Sequence, residues 1–365
     1  MTTTTIPNLT TAGCRERQAR LVALLTELDV AAAWLWNRKH VYYFTGHDHR
    51  GPMSEVGLLL TADGQATLVT DGTAAPETVD ARLAYDSHQL CTQVEDRVAA
   101  MHAVVAERLR DLGRVAVDRG LPPALAASVT QVDAMPAMLR LRRRKDADEL
   151  ALIRHAITAT EAAWDCAREL LRPGLLEIDL YAAMRAAAVR AVGEPITDWG
   201  NDFQAGGPGG PPRQRAMQAG ELIPLDISVG VRGYWSDMSR TFSVDGQVTD
   251  LQRSAHARVV EALAVGQAAI RPGASCRALY ETVHAMLHGY RGWSFPHHLG
   301  HAIGLDGHEA PRINPHWDDH FAAGDVVTLE PGLYHPDLGG GIRLETDFLV
   351  IPTGCTPLST YPLDL

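Results

Sequence analysis

LLRPGLLEIDLYAAM (170–184) and AIRPGASCRALYETV (269–283) are the two stretches that decide the fold. In both, Arg-Pro-Gly is followed at one interval by tyrosine, from Arg172 to Tyr181 and from Arg271 to Tyr280. Each tripeptide closes one helical pattern and opens another, with proline and glycine marking the turn. The alternative is chance recurrence of a common turn tripeptide. The shared tyrosine and the shared helical context favour duplication, so residues 141–365 read as one domain of two related αβ halves facing each other.

Working back toward the N-terminus, a long helical pattern opens at DELALIRHAITATEAAWDCARELL (148–171), just after LRLRRRKDADE (139–149). That basic cluster is a single run followed at once by acids, and it reads as a solvated domain junction rather than a nucleic-acid patch. Residues 1–140 alternate element types. RERQARLVALLTEL (15–28) has helical spacing, AAAWLW (31–36) reads as a buried strand, and VGLLLTADGQATLVT (56–70) reads as a hairpin turning at Ala62-Asp63-Gly64. VEDRVAAMHAVVAERLRDLG (94–113) is expected to be one amphipathic helix, and RVAVD (114–118) returns as a strand. The fold class is therefore α/β (α+β), with a small N-terminal α/β domain before the duplicated one.

The 33 basic and 44 acidic residues give a net charge of −11, which disfavours nonspecific binding to nucleic acid or to anionic membranes. No apolar run approaches the ~20 residues of a membrane span. MTTTTIPNLTTAG lacks the basic-then-apolar pattern of a secretory signal. The five cysteines are scattered, odd in number and never in a CxxC pair. The expected location is a reducing cytoplasm.

Toward the C-terminus, carboxylates interrupt strands that would otherwise be apolar. In ELIPLDISVGVRGYWSDMSRTF (221–242), Asp226 and Asp237 flank a turn placed at residues 229–233, and a hairpin would bring both to one side of the sheet. In DVVTLEPGLY (325–334), Glu330 ends a β-branched strand. In GGGIRLETDFLVI (339–351), Glu345 has only Arg343 nearby in sequence. A buried acid needs a partner. A salt bridge could satisfy one of the four; four converging with a histidine are better explained by cations. FPHHLGHAIGLDGHEAP (295–311) supplies His297, His298, His301 and His308. Carboxylates with one imidazole make an oxygen-rich, hard site suited to Mn²⁺, with Co²⁺ or Zn²⁺ as alternatives. Two ions ~3.5–4 Å apart would lower the pKa of a bridging water from 15.7 toward ~7 and supply a hydrolytic nucleophile.

The ordered set DISVG, GYWSDMSRT, HHLGHAIGLDGHEAP, TLEPGLY and GIRLETD resembles the pita-bread metallopeptidases, which include Xaa-Pro dipeptidase (prolidase), aminopeptidase P and methionine aminopeptidase. The resemblance runs from about Arg143 to the end; NRKHVYYFTG (37–46) extends it loosely into the N-terminal creatinase/prolidase-like domain. It implies a C-terminal pita-bread catalytic domain with two divalent metal ions per chain, held by Asp226, Asp237, His301, Glu330 and Glu345. It implies that His297 and His308 contact substrate and stabilise the tetrahedral intermediate. Glu330 would relay a proton to the leaving amine, and Arg312 would bind the carboxylate of a short substrate. His298 receives no role. The implied reaction is hydrolysis of the Xaa-Pro bond of dipeptides. The alternatives are aminopeptidase P action on longer peptides and a creatinase-like C–N hydrolase or metal-dependent lyase. A non-enzymatic binding module of the histone-chaperone type is also weighed, and the complete ligand set argues against it. A homodimer is implied, with GHDHRGP (46–52) either reaching a neighbouring cleft or forming a solvated loop.

One position departs from the pattern. Proline-specific members carry a pocket histidine before the first aspartate; here that place falls at about Gly209 within QAGGPGGPPRQR (204–215). This loop has neither the ending of a P-loop nor the spacing of a dinucleotide fingerprint. His308-Glu309 lacks the second histidine of an HExxH helix, and His284 and His288 read as an ordinary helix face.

Overall fold

A computed structural model of the chain describes residues 6–49, 53–72, 75–200 and 202–365. Part of the GHDHRGP segment, residues 50–52, lies outside them. Two units divide the chain, Asn8–Arg142 and Arg143–Leu365, the latter counted together with the N-terminal stretch ending at Pro7.

In the N-terminal unit the helix Thr11–Glu27 leads into the strand Ala32–Leu35, and the expected hairpin pairs Val56–Thr61 with Ala66–Thr70. These strands lie inside a six-stranded mixed sheet that runs on through Arg114–Val117 to Thr130–Asp133 at one edge and ends on Ala81–Ala84 at the other. The single helix expected over 94–113 is two, Arg97–Ala103 and Ala106–Leu112. The break falls at the β-branched pair Val104-Val105, which propagates a helix poorly. Val105 is turned inward and fully buried, while His102 is tied to the Trp34 indole at 3.1 Å.

The boundary between the units falls within the basic run, as the sequence reading placed it, and Arg140 and Arg144 are exposed, but Arg142, Arg143 and Lys145 are not solvated as expected. Arg142 is buried within the N-terminal unit against His40 Nε2 at 3.3 Å. Arg143 forks onto Asp325 at 2.9 and 2.6 Å, and Lys145, almost fully buried, holds Glu309 at 3.0 Å. These cations are paired inside the two units because their partners arrive from distant segments.

The C-terminal unit opens with α1 (Ala147–Leu170) and α2 (Glu177–Val192), joined at Arg172-Pro173-Gly174. An antiparallel hairpin follows, β1 (Leu222–Val231) and β2 (Tyr234–Ser243). The order then recurs with α3 (Asp250–Ala269), Arg271-Pro272-Gly273 and α4 (Cys276–Leu287). The strands β3 (Gly300–Ala302), β4 (Glu309–Ile313), β5 (Val326–Leu329), β6 (Gly332–His335), β7 (Gly340–Arg343), β8 (Thr346–Ile351) and β9 (Gly354–Pro357) complete it. Five form one sheet, in the order β4-β3-β5-β8-β9. Helices α3 and α4 cover an apolar core that includes Val259, Ala262, Val283, Phe295, Val327 and Leu329.

The hairpin is tighter than the sequence indicated. Strand β1 runs on to Val231, and the turn is Arg232-Gly233 alone, with φ of 50° and 82°. Two consecutive positive φ angles match the twist of a two-residue hairpin. Burial is nearly continuous along both strands, so the acids within them are enclosed.

Candidate metal centre

Strand register gathers the carboxylates. Asp226 lies opposite Ser239, and Ser228 opposite Asp237. With side chains alternating along a strand, Asp226 and Asp237 share one face of the hairpin. Leu329 pairs with Thr346, so Glu330 and Glu345 sit at adjoining ends of β5 and β8. Glu345 is also clipped to the hairpin: its N–H donates to Ser239 O at 2.9 Å, and Ser239 N–H returns to Glu345 O at 3.3 Å. His301 enters from β3 after Gly300, whose φ is 152° and where a β-carbon would lie 2.1 Å from Thr328 O. Only glycine allows β3 to approach β5 so closely and seat the imidazole beside the acids.

Three overlapping triads result, each with ligand atoms within 4.8 Å of one another: Asp226–Asp237–Glu345, His301–Glu330–Glu345 and Asp237–His301–His308. All five residues expected as ligands fall in this set, and His308 adds a sixth donor. His308 stacks on His301, with ring centroids 3.6 Å apart. A further acidic group, Asp146, Asp148 and Glu149, lies at the start of α1, where Asp146 and Glu149 form a capping box.

The donors fit cations. His301 Nδ1–H donates to Ala302 O at 3.1 Å, which aims the Nε2 lone pair at Asp237 Oδ2, 3.6 Å away, and Glu330 Oε1, 4.0 Å away. Burial pushes the imidazole pKa down to about 3, so at neutral pH this is a neutral ring whose lone pair faces carboxylate oxygens. Such a geometry is repulsive unless a positive ion lies between. Burial, followed by neighbouring acids, drives Asp237 and Glu345 well above the usual carboxylate range. Asp226 is pushed up to about 7 by burial, with Arg343 opposing. Glu345 Oε2 is buried with no hydrogen-bond partner among the described residues. Unpaired buried carboxylate oxygens are expensive. Divalent ions would satisfy all of these groups together.

Glu330 is the exception. Against its burial, a hydrogen bond from His298 Nδ1 at 3.0 Å and the surrounding imidazoles hold its pKa down at about 2. His298, which received no role from sequence, is thus the direct partner of Glu330. Two further groups were missed. Tyr334 O–H donates to His297 Nε2 at 2.8 Å, while His297 Nδ1–H donates to His298 O at 2.7 Å. Arg343 does not reach for its sequence neighbour Glu345 but pairs with Asp226 at 3.4 Å and with Asp202. Asp202 stands two residues before the glycine-rich loop and carried no local signal.

That loop accounts for the absent pocket histidine. Gly209 has φ of 140°, and a β-carbon there would lie 2.5 Å from Asp202 Oδ2 and 3.0 Å from an Arg343 guanidinium nitrogen. A side chain there would collide with the Asp202–Arg343 pair. Gly209→Ala is therefore expected to destabilise the fold by roughly 1–3 kcal/mol and to weaken divalent-ion binding through Asp226. Thermal unfolding and ion titration would both register it, and a silent substitution would contradict this packing.

A cavity of about 350 Å³ lies against the cluster, lined in part by His297, His298, His301, His308, Arg312 and Trp317. Across β3–β4, His301 pairs with Arg312, placing both side chains on one face. Among the described residues, no helix is long and apolar enough to cross a membrane.

Comparison with known proteins agrees with this centre. Residues 151–352 match the model of metallopeptidase family M24, and residues 17–143 match the creatinase/prolidase N-terminal domain. YkvY of Bacillus subtilis (strain 168), provisionally named a dipeptidase, is 26% identical over 96% of this chain and 99% of its own. The solved structure of an Xaa-Pro dipeptidase from Bacillus anthracis superposes with a TM-score of 0.78 at 21% identity, covering 96% of this chain and 99% of that one. An X-Pro aminopeptidase from Thermotoga maritima MSB8 gives 0.78 at 22%, covering 95% and 98%. With the family model spanning more than half its length and its carboxylates and imidazoles gathered as described, the chain belongs to metallopeptidase family M24 and carries the pita-bread fold.

Proposed function

We propose that this protein is a dinuclear metallopeptidase hydrolysing the Xaa-Pro bond of dipeptides, with Asp226, Asp237, His301, Glu330 and Glu345 holding two divalent ions, best Mn²⁺. When bound, the ions supply Lewis acidity and an acidified water. The remaining work falls to the chain. Glu330, ionised and oriented by His298, takes a proton from the attacking water and delivers it to the proline nitrogen as the C–N bond breaks. That nitrogen bears no hydrogen in the substrate, so it must acquire one to leave as a secondary amine. His297, both ring nitrogens of which are engaged by Tyr334 O–H and His298 O, lines the same cavity as His308, which is placed to hydrogen-bond the substrate as charge develops on its carbonyl oxygen. A cytoplasmic homodimer completes the reading.

The observation that carries the dipeptide preference is Arg312. Its guanidinium lies exposed in the cavity, makes no ion pair among the described residues, and sits directly across the ladder from His301. A guanidinium fork suits a carboxylate. One residue beyond the scissile bond, that carboxylate is the C-terminus of a dipeptide. The test is turnover by the Mn²⁺-loaded protein on Leu-Pro, on an Xaa-Pro tripeptide and on small zwitterions such as creatine. Arg312→Ala is expected to lower kcat/KM for Leu-Pro by roughly 10²-fold and for the tripeptide by much less. Equal losses would reject the carboxylate role, and turnover of the zwitterion alone would reject the peptidase reading in favour of C–N hydrolysis.

A further inference from the structure

Of the six large apolar side chains left exposed among the described residues, Trp317 is the most exposed, at 46%. It also lines the cavity beside the metal centre, where Arg312 does too. At the lip of a cavity such an indole offers a ligand a large apolar face with few rotatable bonds.

The indole is held in place rather than merely left outside. Trp317 Nε1–H donates to Asp319 Oδ2 at 3.2 Å, and the backbone N–H of Arg312 donates to the same oxygen at 2.9 Å. Buried Asn314 binds the loop from within: its Oδ1 accepts from the backbone N–H of His316 at 2.8 Å and of Trp317 at 3.4 Å, and its Nδ2 donates to Arg312 O at 3.3 Å. One carboxylate and one amide thus tie the indole to the backbone that carries the Arg312 side chain. The ligand suited to such a pair carries an anion and a flat apolar ring a short, fixed distance apart. In a C-terminal proline the carboxylate and the pyrrolidine ring leave the same α-carbon, and the ring has no rotamer freedom to lose on packing.

We propose that Trp317 is the platform for the proline ring of the substrate and so a specificity-determining residue, Arg312 and Trp317 together recognising C-terminal proline. This rests on the reading of Arg312 as carboxylate anchor. Asp319, which touches neither ring nor carboxylate of the substrate, is a positioning residue for both.

Wild type, Trp317→Ala, Trp317→Phe and Asp319→Ala, all loaded with Mn²⁺, are compared on Leu-Pro for KM and kcat and by calorimetric titration with L-proline, the product. Trp317→Ala is expected to raise KM and the L-proline Kd about tenfold with kcat held within about twofold; Trp317→Phe, which keeps an aromatic face, recovers both to within about threefold. Asp319→Ala shifts KM in the same direction. Trp317→Leu takes the place of the alanine variant should that one not fold. Unchanged KM and L-proline affinity in Trp317→Ala, a fall in kcat alone, or a phenylalanine variant no better than alanine overturns the platform. If wild type cleaves Leu-Pro while Trp317→Ala behaves like it, the platform alone fails. Should wild type neither cleave Leu-Pro nor bind L-proline, the peptidase reading and the platform fall together. L-proline binding that depends on Trp317, without turnover, would uphold the platform and sink the peptidase reading.

Discussion

Replacing His301 by alanine is expected to cut turnover of Leu-Pro by more than about 10²-fold, because even outer-shell partners of a metal ligand cost 10–100-fold. The imidazole is 2% exposed, and its Nε2 lies 3.6 Å from Asp237 Oδ2 and 4.0 Å from Glu330 Oε1. Its neutral lone pair, fixed by the Nδ1–H bond to Ala302 O, is the one soft donor among hard oxygens. Without it, Glu330 and Glu345 must share an ion with no nitrogen to complete the set. His308, stacked on His301, joins a triad with Asp237 but none with Glu330 or Glu345, so it does not replace His301 for all three acids. The fold should survive, since His301 contributes a buried polar ring and not a core anchor. Circular dichroism and bound-ion stoichiometry separate the outcomes. Near-normal turnover with two ions retained would remove His301 from the centre and the dinuclear reading with it.

The four acidic candidates stood out because each is a chemical anomaly against a regular background, whereas His301 was singled out among four histidines only by the family resemblance. Asp226, Asp237 and Glu345 interrupt apolar strands, and Glu330 ends one. Period-two geometry then fixes which face they share. The duplicated Arg-Pro-Gly turns were legible for a similar reason, since turn chemistry is local. What escaped was non-local. Asp202 and Arg343 meet across 141 residues, and Arg343 chose Asp226 over the nearer Glu345. His298 differs from its neighbour His297 only in the direction its ring takes toward Glu330. The basic run misled because the partners of Arg142, Arg143 and Lys145 lie 102, 182 and 164 residues away, beyond any pattern a window can register. The break at Val104-Val105 was set by packing of Val105 into the core, against an otherwise continuous helical period.

Stripping divalent ions with a chelator is expected to lower the melting temperature of the C-terminal unit, and Asp237→Asn is expected to raise that of the metal-free protein. The reason is the charge imbalance of the cluster. Four carboxylates converge, and Arg343 ion-pairs with only one of them, Asp226, sharing its charge with Asp202. Burial and mutual repulsion disfavour the ionised forms of Asp226, Asp237 and Glu345, and Glu345 Oε2 has no donor to satisfy it. Bound ions remove that penalty. At a free ion concentration ~1,000 times Kd the stabilisation is about 4 kcal/mol, which at ~2–4 °C per kcal/mol for a unit of this size is roughly 8–16 °C. Asparagine at 237 keeps an acceptor for the Ser228 hydroxyl, which donates to Asp237 Oδ1 at 2.6 Å, but deletes one negative charge from the centre. The metal-free variant should therefore melt above metal-free wild type, while added Mn²⁺ raises it little and turnover is lost. Differential scanning calorimetry of the two proteins, each with chelator and with Mn²⁺, gives the four values needed. If chelation leaves wild type unmoved, or if metal-free Asp237→Asn melts no higher than metal-free wild type, the acids are satisfied by shared protons and the cluster is a static network without need of ions.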